Sequence, residues 1–134
     1  MVSLKYVEGI GDAYAAKLNS AGISSAEALL EQGKTPAGRK EIAERSGLSD
    51  GQILEWVNHV DLFRIKGVGA EYGDLLEAAG VDTVPELAQR KPENLLDKMT
   101  AVNGEKHLVR RLPVLSQVKA WVEQAKKLPR VITY

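Results

Sequence analysis

Apolar residues recur along this chain at helical spacing, in short segments closed by glycine or proline. The clearest stripe is Val114, Leu115, Val118, Trp121, Val122, Ala125 and Leu128, bounded by Pro113 and Pro129. Lys126 and Lys127 stand where a helix dipole favours cations, so this segment reads as a helix and a main wall of the core. A second stripe, Ile53, Trp56, Val57, Val60 and Phe63, follows Ser49 and Gln52 at capping-box spacing. Earlier segments are shorter. Asp12 to Ala21 and Ala70 to Ala79 read as helices ending at Gly22 and Gly80. Ser24 with Glu27, and Thr83 with Glu86, have the spacing that opens a helix after each glycine turn. Thr35-Pro36 starts a further helix that stops at Gly47, and Pro92 starts one bearing Leu95, Leu96, Met99 and Val102 that stops at Gly104. Val131 to Tyr134 is short and β-prone, and Met1 to Val7 is too short for a full helix; these ends can pair with each other or with a partner.

The pattern repeats. Val7 to Leu29 aligns without gaps on Ile65 to Leu87, so that Gly9, Gly11, Tyr14, Leu18 and Gly22 meet Gly67, Gly69, Tyr72, Leu76 and Gly80 at a shift of 58. Gln52, Trp56 and Val57 meet Gln117, Trp121 and Val122 at a shift of 65, which puts about seven extra residues in the middle of the second copy. The expectation is a single domain over residues 1–134, with one repeat at about 1–62 and the other at about 63–130. Both tryptophans lie within apolar stripes and read as core anchors, not as base-stacking platforms.

The centre of each repeat is Val7-Glu8-Gly9-Ile10-Gly11 and Ile65-Lys66-Gly67-Val68-Gly69, each followed by a helix. Glycine permits positive φ and close approach of another backbone or a phosphate. The helix start behind it offers amides and a partial positive charge to an anion. This arrangement resembles the helix-hairpin-helix motif, in which an apolar residue between two glycines plugs the turn into the core. That resemblance implies binding of the DNA backbone without sequence reading, and in some hairpins a monovalent cation held by carbonyl oxygens. Nearly the whole chain, through Val7 to Gly22, Thr35-Pro36-Ala37-Gly38-Arg39-Lys40, Ile53 to Val57, Arg64 to Val84 and Val109 to Trp121, also resembles a bacterial family, the domain of unknown function 4332. Membership implies tandem motifs of the same type and leaves the activity open.

Charge separates the two copies. Eighteen Lys and Arg balance 18 Asp and Glu, which argues against a uniformly basic coat protein. Residues 1–62, however, hold six cations against nine acids, and residues 63–134 hold twelve against nine. The first hairpin carries Glu8 and Asp12, which repel phosphate. The second carries Arg64 and Lys66, with Glu71 as its only first-turn acid. The candidate nucleic-acid-binding set is therefore Arg64, Lys66, Gly67 and Gly69, helped by Arg110 and Arg111 from the basic stretch after Asp97.

Other chemistries find little support. The absence of cysteine excludes disulfides, thiolate metal sites and cysteine nucleophiles. Gly33-Lys34-Thr35 imitates the end of a phosphate-binding loop, but Ala28 stands where that loop needs glycine, and Tyr14 and Tyr72 replace the third glycine of a dinucleotide fingerprint. A helix-turn-helix over Ile42 to Ile53 would present a reading helix with no Arg or Lys before Arg64. His59 and His107 read as surface or capping histidines, and no metal ligand set is found.

The expected fold is all-α, a compact bundle of two imperfect helix-hairpin-helix repeats, with a short β-like pairing of the termini as an option. No apolar run is long enough for a membrane span and no leader pattern is present, so a cytoplasmic protein is expected. The failed catalytic and nucleotide motifs lead to the expectation that it is non-enzymatic and without cofactor. Three partners fit: DNA or RNA backbone at the second hairpin, a protein partner or second copy, or an enzyme encoded elsewhere beside which the domain acts.

Overall fold

The structure is a computed structural model that describes residues 2–134; Met1, the first residue of the N-terminal segment considered above, lies outside the described residues. The described residues form one 3-10 turn, Leu4–Tyr6, and eight helices: α1 (Asp12–Ser20), α2 (Ala26–Gly33), α3 (Pro36–Ser46), α4 (Asp50–Leu62), α5 (Ala70–Ala78), α6 (Val84–Ala88), α7 (Pro92–Lys106) and α8 (Leu115–Lys127). No strand occurs among them, and the fold is all-α. No helix among the described residues is long and apolar enough to cross a membrane. Among the described residues two units emerge, one of residues 2–61 with 131–134 and the other of residues 62–130.

In the first unit, α3 packs on α1 and α2. Thr35 caps α3 by accepting from the Gly38 amide at 3.1 Å, Pro36 occupies the first turn where it sacrifices no helical bond, and Gly47 ends the helix at φ +76°. Ser49 and Gln52 form the expected reciprocal cap of α4, with the Gln52 amide donating to Ser49 Oγ and the Ser49 amide to Gln52 Oε1, both at 3.2 Å. Ile53, Trp56, Val57 and Val60 are buried.

The cap of α2 differs from the sequence expectation. Ser25, not Ser24, accepts from the Ala28 amide at 3.1 Å, and Glu27 is drawn instead to the Val2 amide, at 2.9 and 3.0 Å from its two oxygens. Among the described residues the termini do not pair with each other as strands. The Ala26 amide donates to Val2 O at 2.9 Å, and the Thr133 amide donates to Lys34 O at 2.8 Å, so each terminus is pinned to a different end of α2. Arg39, buried in this unit, donates from Nη1 to Gly33 O at 2.9 Å and from Nη2 to Thr133 O at 2.8 Å.

In the second unit, α8 packs on α6 and α7, and α5 packs on α7. The core gathers Leu75, Leu76, Leu87, Met99, Val118 and Trp121, all nearly inaccessible to solvent. Thr83 caps α6 as expected, accepting from the Glu86 amide at 3.4 Å. Gly104, expected to end α7, lies inside it. The helix runs on to Lys106 and stops at His107, which takes the left-handed conformation at φ 52°. Asn103 makes this possible, because its side chain accepts from the Val109 amide at 3.0 Å and donates to Val109 O at 3.2 Å, clipping the following loop back onto the helix.

Element boundaries account for the seven extra residues of the second copy. From the start of α2 to the start of α3 the offset between copies falls from 58 to 56; a longer α7 raises it to 60, and a longer loop before α8 raises it to 65. The insertion therefore lengthens α7 and the loop bearing Arg110 and Arg111, leaving the glycine turns and the tryptophan helices equivalent.

Candidate functional site

The second hairpin is a glycine turn anchored by its apolar residues. The Ile65 amide donates to Leu62 O and the Val68 amide to Ile65 O, both at 3.1 Å, while the side chains of Ile65 and Val68 are buried. Gly67 takes φ +94°, a conformation that burdens any residue with a Cβ. Gly69 differs from the expectation for both glycines: at φ −106°, ψ −163° it is extended, and it serves as N-cap of α5. Without a side chain it makes no capping bond, so the first amides of α5 have no partner from the cap residue.

A tryptophan closes the turn from below. A Cβ on Gly67 would lie 3.0 Å from Trp121 Nε1, and the Trp121 ring meets Tyr72 at 5.3 Å between centroids, tilted by 53°. The Tyr72 hydroxyl then donates to Arg111 O at 3.0 Å, which ties the basic loop to the first turn of α5. On the other side, Gln124 of α8 clasps the Lys66 peptide, accepting from its amide at 2.9 Å and donating to its carbonyl at 3.4 Å. The Lys66 amide is thus spent within the protein, and its exposed side chain is what it offers to solvent.

The six sequence-derived residues divide accordingly. Lys66, Gly67 and Gly69 form the turn, and the backbone of Arg111 is joined to α5 through Tyr72. Arg110 and Arg111 are exposed on the same loop. Arg64 is directed elsewhere: its Nη2 donates to Pro129 O at 2.7 Å, beyond the C-terminal end of α8. Gln124 was not legible in the sequence, because its counterpart at the 65-residue offset is His59, a residue of different chemistry.

The first hairpin repeats the scaffold with opposite charge. Gly9 has φ +92°, its Cβ would lie 3.3 Å from Trp56 Nε1, and Tyr14 meets Trp56 at 5.2 Å and 54°. Its helix start carries Asp12, paired with Lys5 at 3.0 Å. That carboxylate already complements the helix dipole and leaves this turn poorly suited to an anion.

Both tryptophans are buried, in agreement with the core role read from their stripes. The histidines split. His107 is the exposed cap of α7, whereas His59 is only 2% exposed, so the surface or capping role expected for both fails there. Burial runs without a break from Trp56 to Leu62, so the C-terminal half of α4 leaves no solvent-facing side for His59 to occupy.

No curated protein and no solved structure matches the chain. A family model matches residues 8–128, a span that takes in both glycine turns, both tryptophan helices and the loop between α7 and α8, and the chain belongs to that family, the domain of unknown function DUF4332.

Proposed function

We propose that the protein is a non-enzymatic module of the helix-hairpin-helix type that holds the nucleic-acid backbone, without reading sequence, through its second hairpin. The observation that carries this reading is the coupling of the turn to the basic loop: Tyr72, in the first turn of α5, bonds the Arg111 carbonyl, and Lys66 stands exposed in the turn before the uncapped helix start. Amides at a helix start and mobile cations beside them suit a phosphate oxygen. The charge excess of this unit, twelve Lys and Arg against nine acids, favours the same partner.

Duplex binding followed by fluorescence anisotropy across a salt series tests it. Three to five phosphate contacts give a slope of log affinity against log salt of about −3 to −4. Lys66→Glu should abolish binding at low salt. An unchanged affinity in that variant, or no binding by the parent protein at low salt, would overturn the reading.

The first hairpin favours a second reading, a protein-interaction or self-associating scaffold. Glu8 and the Asp12 to Lys5 pair make that turn hostile to phosphate, and the first unit, with six cations against nine acids, complements the charge of the second. Light scattering at rising concentration and low salt would reveal salt-sensitive dimers under this reading; a strict monomer would remove self-association.

A further inference from the structure

A cavity of about 510 Å³ opens in the second unit beside the C-terminal end of α5, the end opposite the glycine hairpin. The residues that decide its chemistry are Gly80, Arg90, Lys91, Asn94, Leu95 and Lys98, and no carboxylate lines it. Positions 91, 94, 95 and 98 follow one another at helical spacing, so the start of α7 presents two lysines, an amide and a leucine on one face.

Arg90 is fixed in place. Its Nη2 donates to Gly80 O at 2.9 Å and to Glu86 Oε1 at 2.8 Å, which leaves Nη1 available as a donor. The first-turn acid of α7, Glu93, is turned away toward Lys119, 3.9 Å distant. The side chains of Lys91 and Lys98 have no ion-pair partner among the described residues. Three cations therefore border a concave surface that no carboxylate lines; Arg90 is also paired with Glu86, and Lys91 and Lys98 carry the unneutralised charge that concentrates small anions.

The geometry points to a second anion site, independent of the hairpin, that takes the phosphoryl group of a small phosphorylated molecule. Arg90 supplies a preorganised guanidinium, Lys91 and Lys98 supply mobile ammonium groups, and Asn94 supplies an uncharged polar contact. Leu95, buried beneath them, gives the remainder of the ligand an apolar floor. The volume is that of a small-molecule pocket, for which about 300 to 1,000 Å³ is usual.

Nuclear magnetic resonance titration of the intact, nitrogen-labelled protein with inorganic phosphate at constant ionic strength tests the site. The amides of Gly80, Arg90, Asn94 and Leu95 should shift saturably, and the double variant Lys91→Gln, Lys98→Gln should bind about tenfold more weakly. Both lysines are exposed, so the variant's spectrum elsewhere should match the parent and report an intact fold. Lys66→Glu should leave the titration unchanged, which keeps this site separate from the hairpin. The absence of a saturable shift, an unchanged affinity in the double variant, shifts confined to Gly67 and Tyr72, or cavity shifts with duplex DNA but not with phosphate would each overturn the proposal.

Discussion

Trp121 fills the space that a side chain at Gly67 would enter: a Cβ added to the glycine would stand 3.0 Å from the indole Nε1. The equivalent separation between Gly9 and Trp56 is 3.3 Å. Each glycine also has a positive φ, so an alanine there meets backbone strain and a crowded ring together. Gly67→Ala should destabilise the protein by about 1 to 3 kcal/mol. Gly9→Ala should cost slightly less, because its ring has more room to give. Urea unfolding monitored by tryptophan fluorescence would measure both, and midpoints equal to the parent's would contradict the turn geometry.

Gly11 provides the converse case. It caps α1 in an extended conformation without a side-chain bond, and nothing lies within 4 Å of the place a Cβ would take. A serine there can accept from an amide of the first turn and restricts the unfolded chain. Gly11→Ser should raise stability by about 0.5 kcal/mol. A loss in thermal unfolding experiments would mean that this glycine is needed for more than its role as cap.

Trp121 joins three parts of the second unit: the Gly67 turn, the Tyr72 ring and the packed face of α8. Its truncation leaves a cavity under the hairpin in addition to the lost burial. Trp121→Ala should cost about 3 to 5 kcal/mol. Tyr72→Phe keeps the ring contact but removes the bond to Arg111 O, and should cost about 0.5 to 1.5 kcal/mol. Amide exchange of residues 108–112 should accelerate in the phenylalanine variant. Unchanged exchange there would show that the loop is held without Tyr72.

Most helix positions could be read from sequence because their signals are local. Thr35-Pro36, Ser49 with Gln52, and the glycines after α1 and α5 act through bonds a few residues away. The cap of α2 was within reach as well. The 58-residue offset sets Ser25, not Ser24, opposite Thr83, and both Ser25 and Thr83 cap their helices. Glu27 stands three residues after Ser24 and so completes a capping-box spacing, but in the structure it is held by Val2, distant in sequence.

What escaped the sequence depended on such distant partners. A glycine within a helix costs only about 1 kcal/mol relative to alanine, so packing of Met99 and Leu95 and the Asn103 clip carry α7 past Gly104. The hairpin itself was visible as Lys66, Gly67 and Gly69, but the bonds from Gln124 and Tyr72 that join it to α8 and the Arg111 loop span 58 and 39 residues. The diversion of Arg64 to Pro129 spans 65. Charge counting placed Arg64 with the site, and its geometry commits it to the end of α8.

Arg39 secures the C-terminal residues to the first unit. Its guanidinium, 6% exposed as a residue, is satisfied by Gly33 O and Thr133 O, and it lies 5.8 Å from the centroid of the Tyr134 ring. Tyr134 in turn donates to Asn58 Oδ1 at 3.1 Å. Arg39→Met keeps much of the volume but leaves two carbonyls without this donor, and should cost about 2 to 3 kcal/mol. Limited carboxypeptidase digestion should also release Tyr134 faster from this variant. Equal digestion rates would show that Thr133 to Lys34 and Ile132 burial suffice to hold the segment.

Glu27 makes stability depend on pH through one bond pair. The Val2 amide, donating to both carboxylate oxygens, holds the Glu27 carboxyl below its ordinary range. A carboxylate whose folded pKa is lowered binds fewer protons in the native state than in the unfolded one, so it stabilises the protein above the unfolded value of about 4.3. That contribution is lost as pH falls through the lower folded value. Because the group is exposed, solvent screening keeps the effect modest. Glu27→Gln should therefore be slightly less stable than the parent at neutral pH, and the two urea midpoints should converge below about pH 4 as the parent's carboxyl protonates. A difference that persists unchanged into acid would show that the ionised carboxylate does not hold the N-terminal segment to α2.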